Sequence, residues 1–221
     1  MTRPLAIAHR AGNSLAGLQA AVELGADVIE LDIHHHRGRL EVRHLKTAGR
    51  LPFMWDKWEL VPASAPRLHL DEVLDAADHG TLFMLDLKGR SASVGHSVAE
   101  LLHEMVPNRP VIVCSRFWPA VESFAGVEWV RRVYSARRRD ELTRLRRHVR
   151  TMSAHGSAYG VSVHRSLLSA ELVAELHESV DVVMTWPIND DAALADVTGK
   201  GVTGVISDEL DVLEALLAAR S

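Results

Sequence analysis

The sequence predicts an α/β protein, a (β/α)8 barrel, and three observations support this fold class. Short apolar runs alternate with helix-like segments along the whole chain, giving eight strand–helix units. The apolar runs are almost continuously hydrophobic, as in parallel strands that helices cover on one face and a packed core on the other. Eight such units close naturally into a barrel. The chain has 221 residues, slightly fewer than the ~250 typical of this fold, so we expect short loops.

The elements follow one another in the order that a barrel requires. The expected strands span residues 5–8, 27–33, 82–87, 110–115, 129–135, 159–164, 181–186 and 202–207. The expected helices span residues 14–25, 70–79, 94–106, 119–125, 137–150, 169–179, 190–198 and 209–219. Helix starts are indicated by residue types that cap N-termini: Asn13 or Ser14, Ser169, Asn189 and Asp208. Helix ends are indicated by Gly25, Gly80 and Gly126.

An open doubly wound sheet is the alternative arrangement of the same elements. It is disfavoured because no glycine-rich phosphate-binding turn follows the first strand. We therefore expect residues 1–221 to form a single barrel domain.

The composition limits the function classes. A hydrophobic fraction of 47% and a charged fraction of 24% are typical of a soluble globular protein, and a net charge of −4 gives no reason to expect nucleic-acid binding. No apolar run is long enough for stable membrane insertion, and the N-terminal run is too short for a signal peptide, so we expect a cytoplasmic protein. The one cysteine, Cys114, excludes an internal disulfide and is expected in a buried strand. A strong preference for arginine over lysine is typical of GC-rich bacterial genomes.

Two segments after the second strand depart from simple alternation. The strand continues through three histidines, turns at Arg37 and Gly38, and returns over residues 40–44, which predicts a β-hairpin beyond the barrel rim. Residues 45–68 follow, rich in proline and tryptophan. This segment forms either a partial lid over the barrel mouth or a loop packed on the outside of the barrel.

The arginine-rich stretch 131–150 has a structural explanation. Its arginines alternate with Leu142, Leu145 and Val149 at helical spacing. This pattern favours the solvated face of an outer helix over a polyanion site.

Polar residues at the carboxyl ends of barrel strands are the candidates for chemistry. Glu30 and Asp32 lie two apart in an apolar run, so their side chains leave the same face of the strand. If both carboxylates are buried, they repel each other, and a bound hard divalent cation would relieve this repulsion. The alternative is that this strand lies at an exposed sheet edge, where water solvates both carboxylates and no cation is needed. Asp86 and Lys88 show the same alternation on the next strand.

Together these residues predict a phosphodiester-cleaving site. Glu30, Asp32 and Asp86 could bind one Mg²⁺ or Ca²⁺. Arg10 and Lys88 supply positive charge for phosphate oxygens, and His9 and His44 could serve as general acid and base, with the assignment of the two roles open. Further polar or aromatic candidates at strand ends are Ser115, His164, Trp186 and Asp208. His34 and His36 share the face of Asp32, and a polar hairpin surface is the favoured position for both.

The motifs resemble those of the glycerophosphodiester phosphodiesterase family, in the superfamily of barrels shared with phosphatidylinositol-specific phospholipase C. The likeness runs through His9-Arg10, Asn13-Ser14, Glu30-Leu31-Asp32, His44 and Asp86-Leu87-Lys88, and continues near the end over residues 183–189 and 201–208.

This resemblance implies a TIM barrel that hydrolyses glycerophosphodiesters to glycerol 3-phosphate and an alcohol. It implies Glu30, Asp32 and Asp86 as metal ligands, His9 and His44 as the acid–base pair, and Arg10 and Lys88 as phosphate contacts. Trp186 matches a substrate-side position and is otherwise a core or rim aromatic. The implied reaction begins with attack by the glycerol hydroxyl beside the phosphoester, and water then opens the resulting cyclic phosphate.

The sequence departs from the family pattern at several positions. Gly12 stands where the family has a glutamate, and Leu45 replaces the aspartate after the hairpin histidine, so that His44 loses an expected orienting partner. Asp86 replaces a glutamate and is one methylene shorter. Two alternative functions therefore remain: a phospholipase D-like enzyme that releases the cyclic phosphate, and a barrel that binds a phosphorylated ligand without turnover.

Overall fold

The protein is described by a computed structural model that covers residues 3–47, 51–56, 59–153 and 158–219. Its strands are β1 (Leu5–Ala8), β2 (Val28–His36), β3 (Arg39–Val42), β4 (Lys46–Thr47), β5 (Phe53–Asp56), β6 (Glu59–Pro62), β7 (Leu68–His69), β8 (Phe83–Leu87), β9 (Val111–Ser115), β10 (Val130–Ala136), β11 (Ala158–His164), β12 (Val180–Trp186) and β13 (Gly204–Ser207). Its helices are α1 (Leu15–Leu24), α2 (Leu70–Ala76), α3 (Ser93–Met105), α4 (Trp118–Glu122), α5 (Arg139–Ser153), α6 (Ala170–His177), α7 (Asp191–Gly199) and α8 (Leu210–Ala218).

Eight parallel strands form a closed barrel, which confirms the predicted fold class. The strands β1, β2, β8, β9, β10, β11, β12 and β13 pair in this order, and β13 pairs with β1. Closure excludes the open doubly wound sheet, since an open sheet would leave two edge strands unpaired. All eight predicted strands and all eight predicted helices are present within a few residues of their expected bounds.

Two apolar layers explain the nearly continuous hydrophobicity of the strands. Side chains on the outer face of the barrel pack against the helices in one large cluster. Those on the inner face fill the barrel with Ile7, Val28, Met84, Ile112, Cys114, Val133, Val182, Met184 and Ile206. Cys114 is a free, buried cysteine in β9, as predicted.

The hairpin and the described part of the following segment form antiparallel strands that are not part of the barrel's parallel ring. β2 and β3 pair antiparallel around the turn at Arg37 and Gly38, and β7 continues this sheet. β4, β5 and β6 form a separate three-stranded antiparallel sheet. Within the predicted lid, residues 48–50, 57 and 58 lie outside the described residues.

Some of the predicted helix boundaries are confirmed and others are wrong. Ser14 and Ser169 cap their helices, and Gly25 ends α1 with a φ of 78°. Asp190, not Asn189, caps α7, and Glu209 rather than Asp208 precedes α8. The helices α2 and α4 end before Gly80 and Gly126.

The arginine-rich helix lies on the outside of the barrel, as expected. Leu145 and Val149 of α5 are buried, whereas Arg146 and Arg150 form ion pairs with Glu175 of α6 at 2.5 and 2.6 Å. No helix in the part of the chain that the structure describes combines the length and hydropathy of a membrane span.

Candidate active site

Three carboxylates converge at the carboxyl ends of β2 and β8. Asp32 lies opposite Asp86 in the parallel register of the two strands, and Glu30 lies two residues before Asp32 on the same face. Glu30 and Asp32 are only 1% and 0% exposed, so the predicted burial is correct and the edge-strand alternative is wrong. Ligand oxygens from the three side chains all lie within 4.8 Å of one another. The shorter Asp86 is therefore close enough to share one cation with Glu30 and Asp32.

The charges in this cluster perturb each other. Burial and the neighbouring Asp32 raise the pKa of Glu30 to about 7. Burial opposes ionisation of Asp32 as well, but the Lys88 ammonium outweighs it and lowers the Asp32 pKa. Lys88 and the more distant Arg10, whose Nε lies 3.8 Å from Asp32 Oδ2, bring two positive charges to three carboxyl groups, so the cluster is not fully balanced. The donor set thus fits a hard divalent cation.

Lys88 is a counter-ion within the carboxylate cluster. Its Nζ lies 2.5 Å from Asp32 Oδ1 and also contacts Asp86. Burial alone would lower the Lys88 pKa, but Asp86 and Asp32 raise it above its ordinary value, so the side chain stays charged. Lys88, which the sequence predicts to contact phosphate, therefore lies at the site and is paired with Asp32 and Asp86.

The turn after β1 connects the first strand to the carboxylates. Arg10 adopts a φ of 56°, and its backbone N–H donates a 2.5 Å hydrogen bond to Glu30 Oε2. Asn13 makes two hydrogen bonds of 2.8 Å to Asp32, one from its amide to the carboxylate and one from the Asp32 N–H to its carbonyl. At Gly12 a Cβ would lie 2.9 Å from Leu31 Cβ, so the close approach of this turn to β2 requires glycine.

His9 belongs to a hydrogen-bonded chain that joins the first barrel strand to the last. His9 Nδ1 lies 2.7 Å from Asp208 Oδ1, and Asn189 Nδ2 donates to Asp208 Oδ2 at 2.9 Å. Burial on its own would lower the His9 pKa, but Glu30 and Asp208 raise it above its ordinary value. The hydrogen bond from His9 lowers the Asp208 pKa to about 2. Because Nδ1 faces the carboxylate, Nε2 is the ring nitrogen left for a ligand.

His44 approaches the site from the end of the hairpin. Its Nε2 lies 2.6 Å from an Arg10 guanidinium nitrogen and 3.7 Å from Asp56 Oδ2. Burial is the main cause that lowers the His44 pKa, so the neutral ring is favoured. Leu45 stands where the family has an aspartate, so His44 is expected to lack that acidic partner. Asp56 of β5 lies beside His44 instead. This contact places β5 beside a residue that lines the barrel mouth and favours the lid interpretation over a loop outside the barrel.

These side chains surround one cavity of about 500 Å³. The predicted site residues His9, Arg10, Glu30, His44, Asp86, Lys88 and Trp186 all line it, whereas Asp32 is fully buried and does not. Trp186 contacts His164 edge-to-face, with ring centroids 5.0 Å apart. His34 also lines the cavity, contrary to the expected hairpin-surface position, and burial together with Arg43 lowers its pKa to about 3.

Known structures share this architecture over nearly the whole chain. A phosphodiesterase from Oleispira antarctica, solved in complex with the product sn-glycerol-3-phosphate, is 19% identical with a TM-score of 0.76, and the match covers 98% of this chain and 97% of that one. The glycerophosphodiester phosphodiesterase from Thermotoga maritima is 18% identical with a TM-score of 0.76, covering 98% and 99% of the two chains. The chain has the fold of glycerophosphodiester phosphodiesterases. A Parabacteroides distasonis enzyme of that name is 18% identical, with a TM-score of 0.72 and coverage of 99% and 98%.

The similarity is found only in comparison with solved structures. No protein-family model matches the sequence, and the comparison with curated proteins finds no match.

Sequence reasoning did not assign roles to three residues that complete the site: Asn13, Asn189 and Asp56. The sequence places Asn13 in a motif and among the helix-cap candidates, but no sequence signal predicts its hydrogen bonds to Asp32. Asn189 has the residue type of a helix cap, but its amide donates a hydrogen bond to Asp208 instead. Asp56 belongs to a segment without periodicity, so no signal in the sequence connects it with His44.

Proposed function

We propose that the protein is a metal-dependent phosphodiesterase that hydrolyses glycerophosphodiesters to glycerol 3-phosphate and an alcohol. The observation that supports this proposal is the carboxylate cluster of Glu30, Asp32 and Asp86, with two imidazoles and Arg10 around the same cavity. The similar fold of an enzyme that holds sn-glycerol-3-phosphate supports the same substrate class.

Glu30, Asp32 and Asp86 would hold the cation, Mg²⁺ or Ca²⁺. When bound, a divalent cation stabilises the charge that develops on the phosphoryl oxygens. Arg10 binds the phosphate of the substrate with its guanidinium. A charged phosphate competes for this guanidinium more strongly than the neutral His44 ring, so substrate binding frees His44 Nε2.

The two histidines move the protons at their Nε2 atoms. In the first step the glycerol hydroxyl beside the phosphoester attacks phosphorus and loses its proton to His44, while His9 protonates the departing alcohol. The product is a cyclic phosphate. In the second step water attacks phosphorus, His9 takes the water proton, and His44 protonates the ring oxygen that leaves. The raised pKa of His9 and the lowered pKa of His44 support this assignment.

Phosphorus NMR of the reaction products tests the proposal. Glycerophosphoglycerol incubated with the purified protein and Mg²⁺ or Ca²⁺ should give glycerol 3-phosphate, and a chelator should stop the reaction. His44→Gln should lower kcat/KM by about a hundredfold or more, the usual contribution of a positioned acid or base. His103→Gln, on an exposed helix position, is the matched control.

Two outcomes would replace the proposed function. Cyclic phosphate that persists as the end product would identify a phospholipase D-like enzyme. Substrate binding without turnover, equally strong in His9→Ala, would identify a binding protein.

A further inference from the structure

The cavity has a basic wall that the proposed reaction does not use. Arg90, Arg116 and Arg137 line it, and they follow the three successive barrel strands β8, β9 and β10. All three residues are exposed to solvent. Neighbouring strands lie about 4.8 Å apart, so the end of β10 is about 10 Å round the barrel from β8, where Asp86 is located. The wall therefore extends well beyond the carboxylate cluster.

Glu141 holds two parts of this basic wall in place. The carboxylate is buried at the start of α5, and it accepts a 2.5 Å hydrogen bond from the Arg116 guanidinium. It also accepts hydrogen bonds from the backbone N–H groups of Arg137 and Arg138 at 2.7 and 3.1 Å. The ends of β9 and β10 are thus connected through one carboxylate, which positions Arg116 and the backbone of Arg137.

The positive charge of the basic wall is only partly balanced. Glu141 pairs with Arg116, but within the described ranges the guanidinium groups of Arg90 and Arg137 have no ion-pair partner. Among the described residues that line the cavity, the carboxylates are Glu30 and Asp86, and both belong to the proposed cation site. A cationic group on the ligand would therefore find no carboxylate on this wall, and it would be repelled by the arginines.

We propose that the alcohol released from the substrate carries a negatively charged group, a carboxylate or a phosphate, which the basic wall binds. This inference rests on the proposed phosphodiesterase function. The glycerol moiety carries no charge, and Arg10 and the cation site hold the diester phosphate. The leaving alcohol is thus the part of the substrate that can supply an anion to the basic wall. Arginine is suited to this role because its fork of N–H donors matches both carboxylate and phosphate oxygens.

Three esters of glycerol 3-phosphate test the charge preference: those of choline, glycerol and glycerate. Glycerate differs from glycerol by a carboxylate in place of a hydroxymethyl group, so this pair isolates the charge. We expect kcat/KM for the glycerate ester to exceed that for the glycerol ester by about tenfold or more, the usual effect of a charge-assisted hydrogen bond. The choline ester should be the poorest substrate. The diester with glycerol 3-phosphate as the leaving alcohol shows whether phosphate or carboxylate is preferred.

Variants identify the residues responsible. Arg137→Gln and Arg90→Gln should each lower the ratio of kcat/KM for the glycerate ester over the glycerol ester. Arg131→Gln is the matched control, because Arg131 is an exposed arginine near the opposite end of β10. The preference of the parent protein should also weaken in 1 M salt, where the Debye length falls to about 3 Å.

The outcomes separate this inference from the function on which it rests. Hydrolysis of all the esters with no preference for an anionic group, or with the choline ester as the best substrate, would overturn the inference and leave the phosphodiesterase function intact. A preference for the anionic group that is equally strong in Arg90→Gln and Arg137→Gln would also overturn it. If no ester is hydrolysed with Mg²⁺ or Ca²⁺, the proposed function itself fails.

Discussion

Replacement of Asp208 by asparagine tests whether the closing strand of the barrel supports His9. Asparagine keeps an oxygen that can accept the hydrogen bond from His9 Nδ1, but it removes the negative charge. The Asp208 pKa is about 2 instead of 3.8, mainly because of the hydrogen bond from His9. One pKa unit corresponds to about 1.4 kcal/mol, so the surroundings favour the carboxylate by about 2 kcal/mol before solvent screening.

Solvent reduces this figure, because the Asp208 side chain is 35% exposed. Solvent screening lowers the value to about 1 kcal/mol, the upper end of the range for exposed ion pairs. The imidazolium form of His9 loses the same stabilisation in Asp208→Asn. We therefore expect kcat/KM for glycerophosphoglycerol at pH 7 to fall by about five- to tenfold. Asp208→Ala, which also removes the acceptor for Nδ1–H, should cost about tenfold to a hundredfold.

Steady-state kinetics with saturating Mg²⁺ or Ca²⁺ provide the assay, and thermal unfolding checks that the fold is retained. Asp181→Asn removes a carboxylate from an exposed position of the neighbouring strand β12 and serves as the control. The reasoning is refuted if Asp208→Asn keeps kcat/KM within twofold of the parent protein, or if the control loses as much activity.

Two further predictions concern stability. The pKa of Glu30 is raised from 4.5 to about 7, so the folded protein binds this proton more tightly than the unfolded chain does. Without metal, this proton stabilises the folded state fully below about pH 4.5. The free energy of unfolding should therefore decline by about 3 kcal/mol as the pH rises from 4.5 to 7. Urea unfolding with a chelator, repeated at several pH values, measures this decline, and Glu30→Gln should abolish it. If the free energy of unfolding still falls equally with pH in Glu30→Gln, Glu30 is not its cause. Gly95→Ala should lower the free energy of unfolding by about 1–3 kcal/mol, because its Cβ would lie 2.3 Å from the Ala120 carbonyl oxygen. Gly199→Ala has no atom within 4 Å of the added Cβ and should not destabilise, and equal losses in the two variants would refute the steric argument.

The barrel could be predicted because its signals are local. Each parallel strand is a short apolar run, and the helices between the runs are long enough for the pattern to be read without tertiary information. The pair Glu30 and Asp32 was predictable for the same reason, because the alternation within one strand places both on one face. Asp86 followed from the same pattern on the next barrel strand.

The contacts between distant elements were not predictable in this way. Asp208 and Asn189 have residue types that often cap helices. Residue type alone does not show whether such a side chain caps its own helix or bonds a distant residue. Asp208 instead contacts His9, 199 residues away. The contact between Asp56 and His44 depends on a short sheet in a proline-rich segment. The sequence of this segment has no hydrophobic periodicity from which its structure could be predicted.

The register of two strand pairs accounts for the geometry of the site. In the β1–β13 pair Ala8 lies opposite Ser207, so that His9 and Asp208 are the next residues on the two strands and meet at the barrel rim. In the β2–β8 pair Asp32 lies opposite Asp86. A shift of either pair by one residue would move these side chains to the helix-facing side of the barrel, because side chains alternate along a strand. The apolar residues that flank Glu30 and Asp32 resist such a shift, since their own burial depends on the same alternation. The packing of the outer face of the barrel therefore positions the polar residues of the inner face.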